Sequence, residues 1–356
     1  MISLEQAEER LLAADFRGAL NALKGACPAA FSAQRDFLAA EALRGQGFFT
    51  SSERLYRRIW TAKVRREDPA LWIESGLALA ACRRSLGGVR EARSYLSGIR
   101  GLVGSKRWHS FHPQLELEAA LVERAAGRFG PSLVALRRLL ARALGARRWS
   151  EAAFLLWAIG GALRFSGRLE ESKRTFERSR LLARKAKDRQ GEAYALFGLG
   201  GVTRILGRLE DSAGFYAQAG RQLASTQDVF GKAYAECGFA NALRQLGRWP
   251  EAERHYRRSH KLYSSLEDQV DLAYVEWGLG KIHLGRGELS KATPRLMRAL
   301  RWFERHGETR GEALAGVALA QALHASGKTA EAERRFAAAY ALARKAGLHA
   351  HLELFT

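Results

Sequence analysis

The chain has 356 residues, is 47% hydrophobic and contains only six prolines, a composition that suits a packed helical protein and excludes a disordered one. Lysine and arginine total 58 against 37 acids, so the formal charge is +21, which favours acidic partners without choosing among nucleic acid, anionic membrane and acidic protein. The three cysteines, Cys27, Cys82 and Cys237, are far apart and form no CxxC pair, which argues against a disulfide framework or a zinc site.

In chain order, the N-terminal MISLEQAEERLLAADF mixes acids with apolar residues and has no basic n-region or apolar h-region, so it does not read as a signal peptide. No run of eighteen apolar residues occurs, so no membrane insertion is expected, and a cytoplasmic, reducing setting is the expectation. Residues 4–14 and 16–26 read as a short first hairpin turning at Ala14-Asp15. From there eight glycines stand forty residues apart: Gly47, Gly87, Gly127, Gly167, Gly207, Gly247, Gly287 and Gly327. Each is followed five positions later by serine or alanine, and an aromatic or aliphatic residue comes four further on, as at Tyr56, Phe176, Tyr216, Tyr256, Leu296 and Phe336. Apolar residues recur at helical spacing before the glycine, as in Leu196, Leu199, Thr203 and Leu206. Glycine after the last of them is a helix stop, because it accepts positive φ without a Cβ clash.

Each forty-residue unit therefore predicts a helix, a tight turn and a second helix. The least regular stretch is LSGIRGLVGSKRWHSFHP from Leu96 on, where a longer, distorted connection is expected. The array is expected to span 1–346, with a short first unit at 4–33 and a tail at 347–356.

With the glycine counted as position 15, Leu199-Gly200, Ser212, Tyr216 and Ala219 match the pattern of the tetratricopeptide repeat family, and Leu279-Gly280, Ala292, Leu296 and Ala299 repeat it. The chain resembles that family over nearly its whole length. Its forty-residue period is similar to the long repeats of the polarity adaptors with Leu-Gly-Asn-type motifs, as is the run Asp188-Arg-Gln-Gly-Glu-Ala193. Where the motif has tryptophan, this chain has Leu196, Glu236 and Glu276. The resemblance implies an all-α, right-handed superhelical solenoid of about nine helix-turn-helix repeats, its first helices lining the concave side.

In that register, positions 2, 5, 9 and 12 of each first helix form one stripe toward the concave side. Position 12 reads Arg44, Arg84, Arg124, Arg164, Arg204 and Arg244 in successive units. Position 2 supplies Phe154, Tyr194, Tyr234 and Tyr274, and position 5 supplies Trp157, Phe197, Cys237 and Trp277. Position 9 reads Gly161, Gly201, Asn241, Lys281 and Gln321. Guanidinium groups beside aromatic faces suit carboxylates flanked by apolar side chains. A structural explanation stands beside this one: cations are favoured in the last helical turn, and duplication copies them.

No P-loop, GxGxxG after a strand, HExxH or GxSxG occurs, so no enzyme and no cofactor is expected. The histidine pairs His109/His112 and His349/His351 lack nearby cysteine or acidic co-ligands. The function expected is a protein-binding adaptor that takes an acidic, extended or helical peptide. RNA or single-stranded DNA along the same basic groove is the alternative, and a ligand-sensing module a third. Self-association through the end units stays open.

Overall fold

Tandem helical hairpins bury one face of each helix against the next hairpin, and the apolar periodicity of this chain provides such a face in every unit. The computed structural model describes residues 3–348, so the His349/His351 pair and most of the tail lie outside the described residues. The helices are α1 (Leu4–Leu12), α2 (Phe16–Ala22), α3 (Ser32–Gln46), α4 (Phe49–Ile59), α5 (Ala62–Glu67), α6 (Pro69–Ser85), α7 (Val89–Val103) and α8 (His112–Ala125). They continue as α9 (Phe129–Gly145), α10 (Trp149–Phe165), α11 (Leu169–Lys185), α12 (Arg189–Ile205), α13 (Leu209–Leu223) and α14 (Val229–Gln245). The last are α15 (Trp249–Ser265), α16 (Gln269–Gly285), α17 (Leu289–His306), α18 (Thr309–Ala325) and α19 (Thr329–Lys345). No strand occurs among the described residues. The fold is an all-α solenoid of helix-turn-helix repeats.

The helix pairs fall into two compact units. The first comprises the chain through Ala126 together with Ser225–Phe230, and the second comprises Gly127–Ala224 and the chain from Gly231 on.

The turn at Gly207 shows how the period works. Gly207 has φ +78°, its N–H donates to the Arg204 carbonyl at 3.1 Å, and the Arg208 N–H donates to the Thr203 carbonyl at 2.9 Å. This is the Schellman closure of a helix end, and it needs a residue that tolerates the left-handed region. The same pair of bonds closes α3 at Gly47. The small residue five positions on does more than permit a close crossing. The hydroxyl of Ser212 donates to the Gly200 carbonyl at 2.7 Å, that of Ser172 to Gly160 at 2.8 Å, and that of Ser52 to Ala40 at 2.8 Å. The ring four residues further is then wedged between hairpins: a Cβ at Gly200 would lie 2.7 Å from the Tyr216 ring, and one at Gly238 only 2.1 Å. Tyr216 is 4% exposed as a result.

The motif's tryptophan position is resolved by charge pairing. Glu276 is buried and takes Arg295 Nη1 at 3.0 Å from nineteen residues ahead. Glu236 meets His255 Nδ1, also nineteen ahead, at 2.5 Å. Each acid at this position has acquired a basic partner on its own second helix.

Local departures from the regular reading have local causes. α2 stops at Ala22 instead of reaching 26, and Gly25 follows with φ +120°. The second helix after Gly47 breaks into α4 and α5 around Trp60, whose ring stacks on Trp72 at 3.9 Å. The irregular stretch contains a 3₁₀ segment, Lys106–Phe111.

A second forty-residue period, not read from the sequence, marks the junctions between units: Arg147, Lys187, Glu267, Gly307 and Gly347 all have positive φ. Three of these are not glycine, and such residues are uncommon in that region. Position 227 breaks the series. There the Gln227 side chain accepts from the Arg17 N–H at 2.7 Å and donates to Asp15 at 3.0 Å, both within the first unit. Phe230 follows, edge-on to Phe49 at 5.6 Å.

Candidate functional site

The stripe residues occupy two different environments. In the first unit Arg44 and Arg84 face acids. Arg44 pairs with Glu41 on its own helix, and Glu41 also accepts from the Tyr56 hydroxyl. Arg84, near the end of α6, forms a bidentate pair with Glu118 of α8 at 2.6 and 3.3 Å, with both side chains largely buried. Arg124 is half-buried in the last turn of α8.

In the second unit Arg164 and Arg244 meet aromatic rings. Arg164 lies over Phe165 at 4.6 Å, its Nε is buried without a hydrogen-bond partner, and it forms no ion pair among the described residues. Its guanidinium occupies the space above Gly201, where a Cβ would come within 2.0 Å of Nη1. Arg204 and Arg244 are buried, each 7% exposed. Arg244 lies over the Trp277 ring at 5.2 Å.

Buried phenols stand beside these cations. Burial pushes the Tyr216 hydroxyl above its ordinary range and Tyr234 adds to the effect, while Arg204 and Arg164 oppose it. Burial likewise raises Tyr256 to about 12, opposed by Arg244. The tyrosine stands twelve residues after the arginine in three hairpins, Arg44/Tyr56, Arg204/Tyr216 and Arg244/Tyr256. The spacing is present in the sequence, but it joins the first helix of a hairpin to the second and so lies on no single helix face.

The aromatic positions form a continuous row through three helices. Phe154 and Trp157 on α10 lie 5.6 Å apart, Trp157 is 6.0 Å from Tyr194 on α12, Tyr194 is 5.3 Å from Phe197, and Phe197 is 4.9 Å from Tyr234 on α14. Phe154 is exposed, Trp157, Tyr194 and Tyr234 are half-buried, and Phe197 is buried beneath them. The row does not extend to the next two predicted residues. Tyr274 packs on Phe303 at 4.7 Å, and Trp277 is buried with its Nε1 donating to the Leu314 carbonyl at 3.3 Å.

Position 9 adds polar groups. Asn241 accepts from the Tyr256 hydroxyl at 2.7 Å and donates back to the Cys237 carbonyl at 3.0 Å. Lys281 Nζ donates to Gln321 Oε1 at 3.1 Å. Its ammonium is brought down to about 8, first by burial and then by the like charge of Arg244.

One contributor lay outside the predicted stripe. Arg310, in the first turn of α18, stands over both the Phe165 ring at 5.3 Å and the Tyr274 ring at 5.2 Å. A guanidinium between two rings so distant in sequence draws α10, α16 and α18 of this unit together. Nothing in the local sequence around Arg310 signals it, because both rings come from other hairpins.

Outside the stripe, the His109 and His112 rings stack at 5.3 Å. Among the described residues no group of three His, Cys, Asp or Glu side chains is arranged to hold a metal. No helix among them is long and apolar enough to cross a membrane.

Residues 232–305 match the tetratricopeptide repeat family. Among solved structures, the chain is similar to a Rap protein complexed with Competence and Sporulation Factor, with TM-score 0.72 and 11% identity over 96% of this chain and 97% of that one. It is also similar to the apo form of the quorum sensor NprR from B. thuringiensis, with TM-score 0.57 and 12% identity over 95% and 97%. A third is aspartyl phosphate phosphatase F from Bacillus subtilis, with TM-score 0.59 and 10% identity over 96% and 94%. Identities this low establish a shared fold. No curated protein matches the chain in sequence.

Proposed function

We propose that this tetratricopeptide repeat protein is a non-enzymatic adaptor that binds an acidic peptide segment in a groove lined by the first helices of its second unit. The observation that carries this reading is the aromatic row Phe154, Trp157, Tyr194 and Tyr234, whose first helix α10 also carries Arg164, a guanidinium with no ion pair among the described residues. Aromatic faces bury apolar side chains at low entropic cost, and a guanidinium beside them accepts a carboxylate in a fork of two hydrogen bonds. Arg204 and Arg244 continue the positive field, and Asn241 and Gln321 supply groups that pair with peptide backbone. Phe197 and Trp277, being buried, form the wall behind the site. Arg44, Arg84 and Arg124 belong to the first unit, where Arg44 pairs with Glu41 and Arg84 with Glu118, so that unit contributes less. Two structures of similar fold, the complex of a Rap protein with Competence and Sporulation Factor and the quorum sensor NprR, are compatible with a ligand-binding use of such a solenoid.

Selection of a displayed random peptide library on the full chain tests the reading. Peptides that join aromatic or aliphatic residues to Asp or Glu are expected to enrich, and Arg164→Glu is expected to abolish their binding while the helical circular dichroism is unchanged. Enrichment of no acidic motif, or binding indifferent to Arg164→Glu, refutes it. Binding of a single-stranded oligonucleotide that falls steeply with salt and is lost with the same substitution would instead assign the groove to nucleic acid.

A further inference from the structure

The large residue four places after the small one in each second helix is a knob for the next hairpin. In α11, α13 and α15 it seats against a glycine of the following first helix: a Cβ would lie 2.2 Å from Phe176 at Gly198, 2.1 Å from Tyr216 at Gly238 and 2.3 Å from Tyr256 at Gly278. The seven copies of this position from Tyr56 to Leu296 are at most 4% exposed. Phe336 on α19, the last helix among the described residues, is 50% exposed. Tyr340, one turn further, is 42% exposed, and the two rings lie 6° from parallel with centroids 6.3 Å apart.

The buried side of α19 consists of alanines. Ala332, Ala339 and Ala343 are its buried residues, and a Cβ at Gly316 of α18 would meet Ala339 at 2.9 Å. With 3.6 residues per turn, Glu333, Phe336, Ala337, Tyr340 and Arg344 share a stripe about 100° wide beside that seam. All five are exposed, and neither Glu333 nor Arg344 forms an ion pair among the described residues. Such a stripe is complementary to itself. A second α19 laid on it antiparallel, about a two-fold axis at the level between Ala338 and Ala339, brings Glu333 of each copy opposite Arg344 of the other. Tyr340 then comes opposite Ala337 and Phe336 opposite Ala341, so each ring meets a small residue, as the earlier copies meet glycine. Parallel pairing would instead set acid against acid and guanidinium against guanidinium.

We infer that the exposed stripe of α19 docks on the same stripe of a second copy of this chain, antiparallel and two-fold symmetric. The surface lies on a second helix and does not rest on the groove reading above. Burial of the rings supplies affinity, and the two Glu333–Arg344 pairs supply the orientation.

The test is sedimentation velocity of the full chain from about 5 to about 500 µM, a range suited to an interface of one helix face. Salt at about 0.15 M screens the mutual repulsion of chains carrying +21 while leaving contacts at the interface in play. The sedimentation coefficient is expected to rise from monomer to dimer across that range. Glu333→Arg and Arg344→Glu are each expected to weaken association by about tenfold or more, because either substitution faces like charges at both symmetric contacts. The double substitution restores opposite charges and is expected to return association to within about threefold of wild type. Phe336→Ser is expected to abolish it, with helical circular dichroism unchanged in every variant because each substituted side chain is exposed. Hydroxyl-radical footprinting identifies the occupant: oxidation of Phe336 and Tyr340 is expected to fall several-fold as concentration rises, while that of the exposed Phe31 stays constant.

A chain that stays monomeric at the top of that range overturns the inference. A dimer indifferent to the single charge reversals, or one that the double substitution does not restore, overturns it as well. Protection of the two rings that is independent of concentration would assign their cover to another segment of the same chain. Rings oxidised as readily as Phe31 at every concentration would leave the stripe to a partner of a different kind. Either result removes the second copy as occupant.

Discussion

The same arginine, repeated every forty residues, is used in opposite ways in the two units. In the first, Arg84 is locked to Glu118 in a two-pronged bridge and Arg44 is held by Glu41. In the second, Arg164 stacks on Phe165 with no acid, and Arg244 stands over Trp277 beside a phenol. The backbone position is equivalent, and the neighbours decide whether the charge ties helices together or faces a ligand. A periodic residue is therefore not a periodic function.

The largest expected effect breaks the first of these arrangements. Glu118→Ala leaves Arg84 largely buried without its acid, which costs about 3 kcal/mol and is read as loss of hydrogen-exchange protection in α6 and α8. Peptide binding by the second unit is expected to be unchanged. If Glu118→Ala costs less than about 1 kcal/mol, the two sets of arginines do not differ as described.

Lys281→Gln sharpens the other side of the comparison. The wild-type ammonium is held down at about 8 by burial and Arg244, so below that pH the folded protein carries a charge in an unfavourable place. The substitution is expected to stabilise the protein by about 1 kcal/mol at pH 7. A depressed base binds fewer protons folded than unfolded, so wild-type stability rises with pH between about 8 and the ordinary lysine value, and the advantage of Lys281→Gln disappears over that window. Thermal unfolding at pH 7 and pH 10 measures it; an advantage that is constant with pH contradicts the assignment.

The second unit also holds an acid pair away from its arginine stripe. Asp268 caps α16 by accepting the Asp271 N–H at 3.1 Å, and burial, then the charge of Asp268, pushes the Asp271 carboxyl well above its usual range. An acid raised in the folded state is penalised once the unfolded chain ionises, so Asp271→Asn is expected to raise the melting temperature at neutral pH and to have no effect below about pH 4. A melting temperature unchanged at pH 7 would show that the pair is better solvated than its burial indicates.

The smallest effect is the most local. Gly201→Ala places a Cβ where Arg164 Nη1 now sits, and that atom is the end of a flexible side chain. Alanine favours the helix by up to about 1 kcal/mol, so stability is expected to hold or rise while Arg164 is displaced and affinity for the selected peptides drops. Loss of stability instead would show that Arg164 cannot move and is structural.

Much of the solenoid could be read from residue order because its determinants are local. A left-handed turn requires glycine at Gly207 and its copies, the next helix requires a small residue five places on, and helical spacing carries the apolar face. The arginine and aromatic positions could be named for the same reason, since a fixed repeat puts them on one face. What residue order does not contain is which neighbour each side chain meets after the hairpins stack. Arg84 finds Glu118 from the next hairpin, Trp277 is covered by α18, and Arg310 reaches Phe165 across 145 residues of chain. Those contacts depend on how the hairpins pack on one another within each unit. Only the tertiary structure sorts one repeated cation into a bridge in one unit and a ring stack in the other.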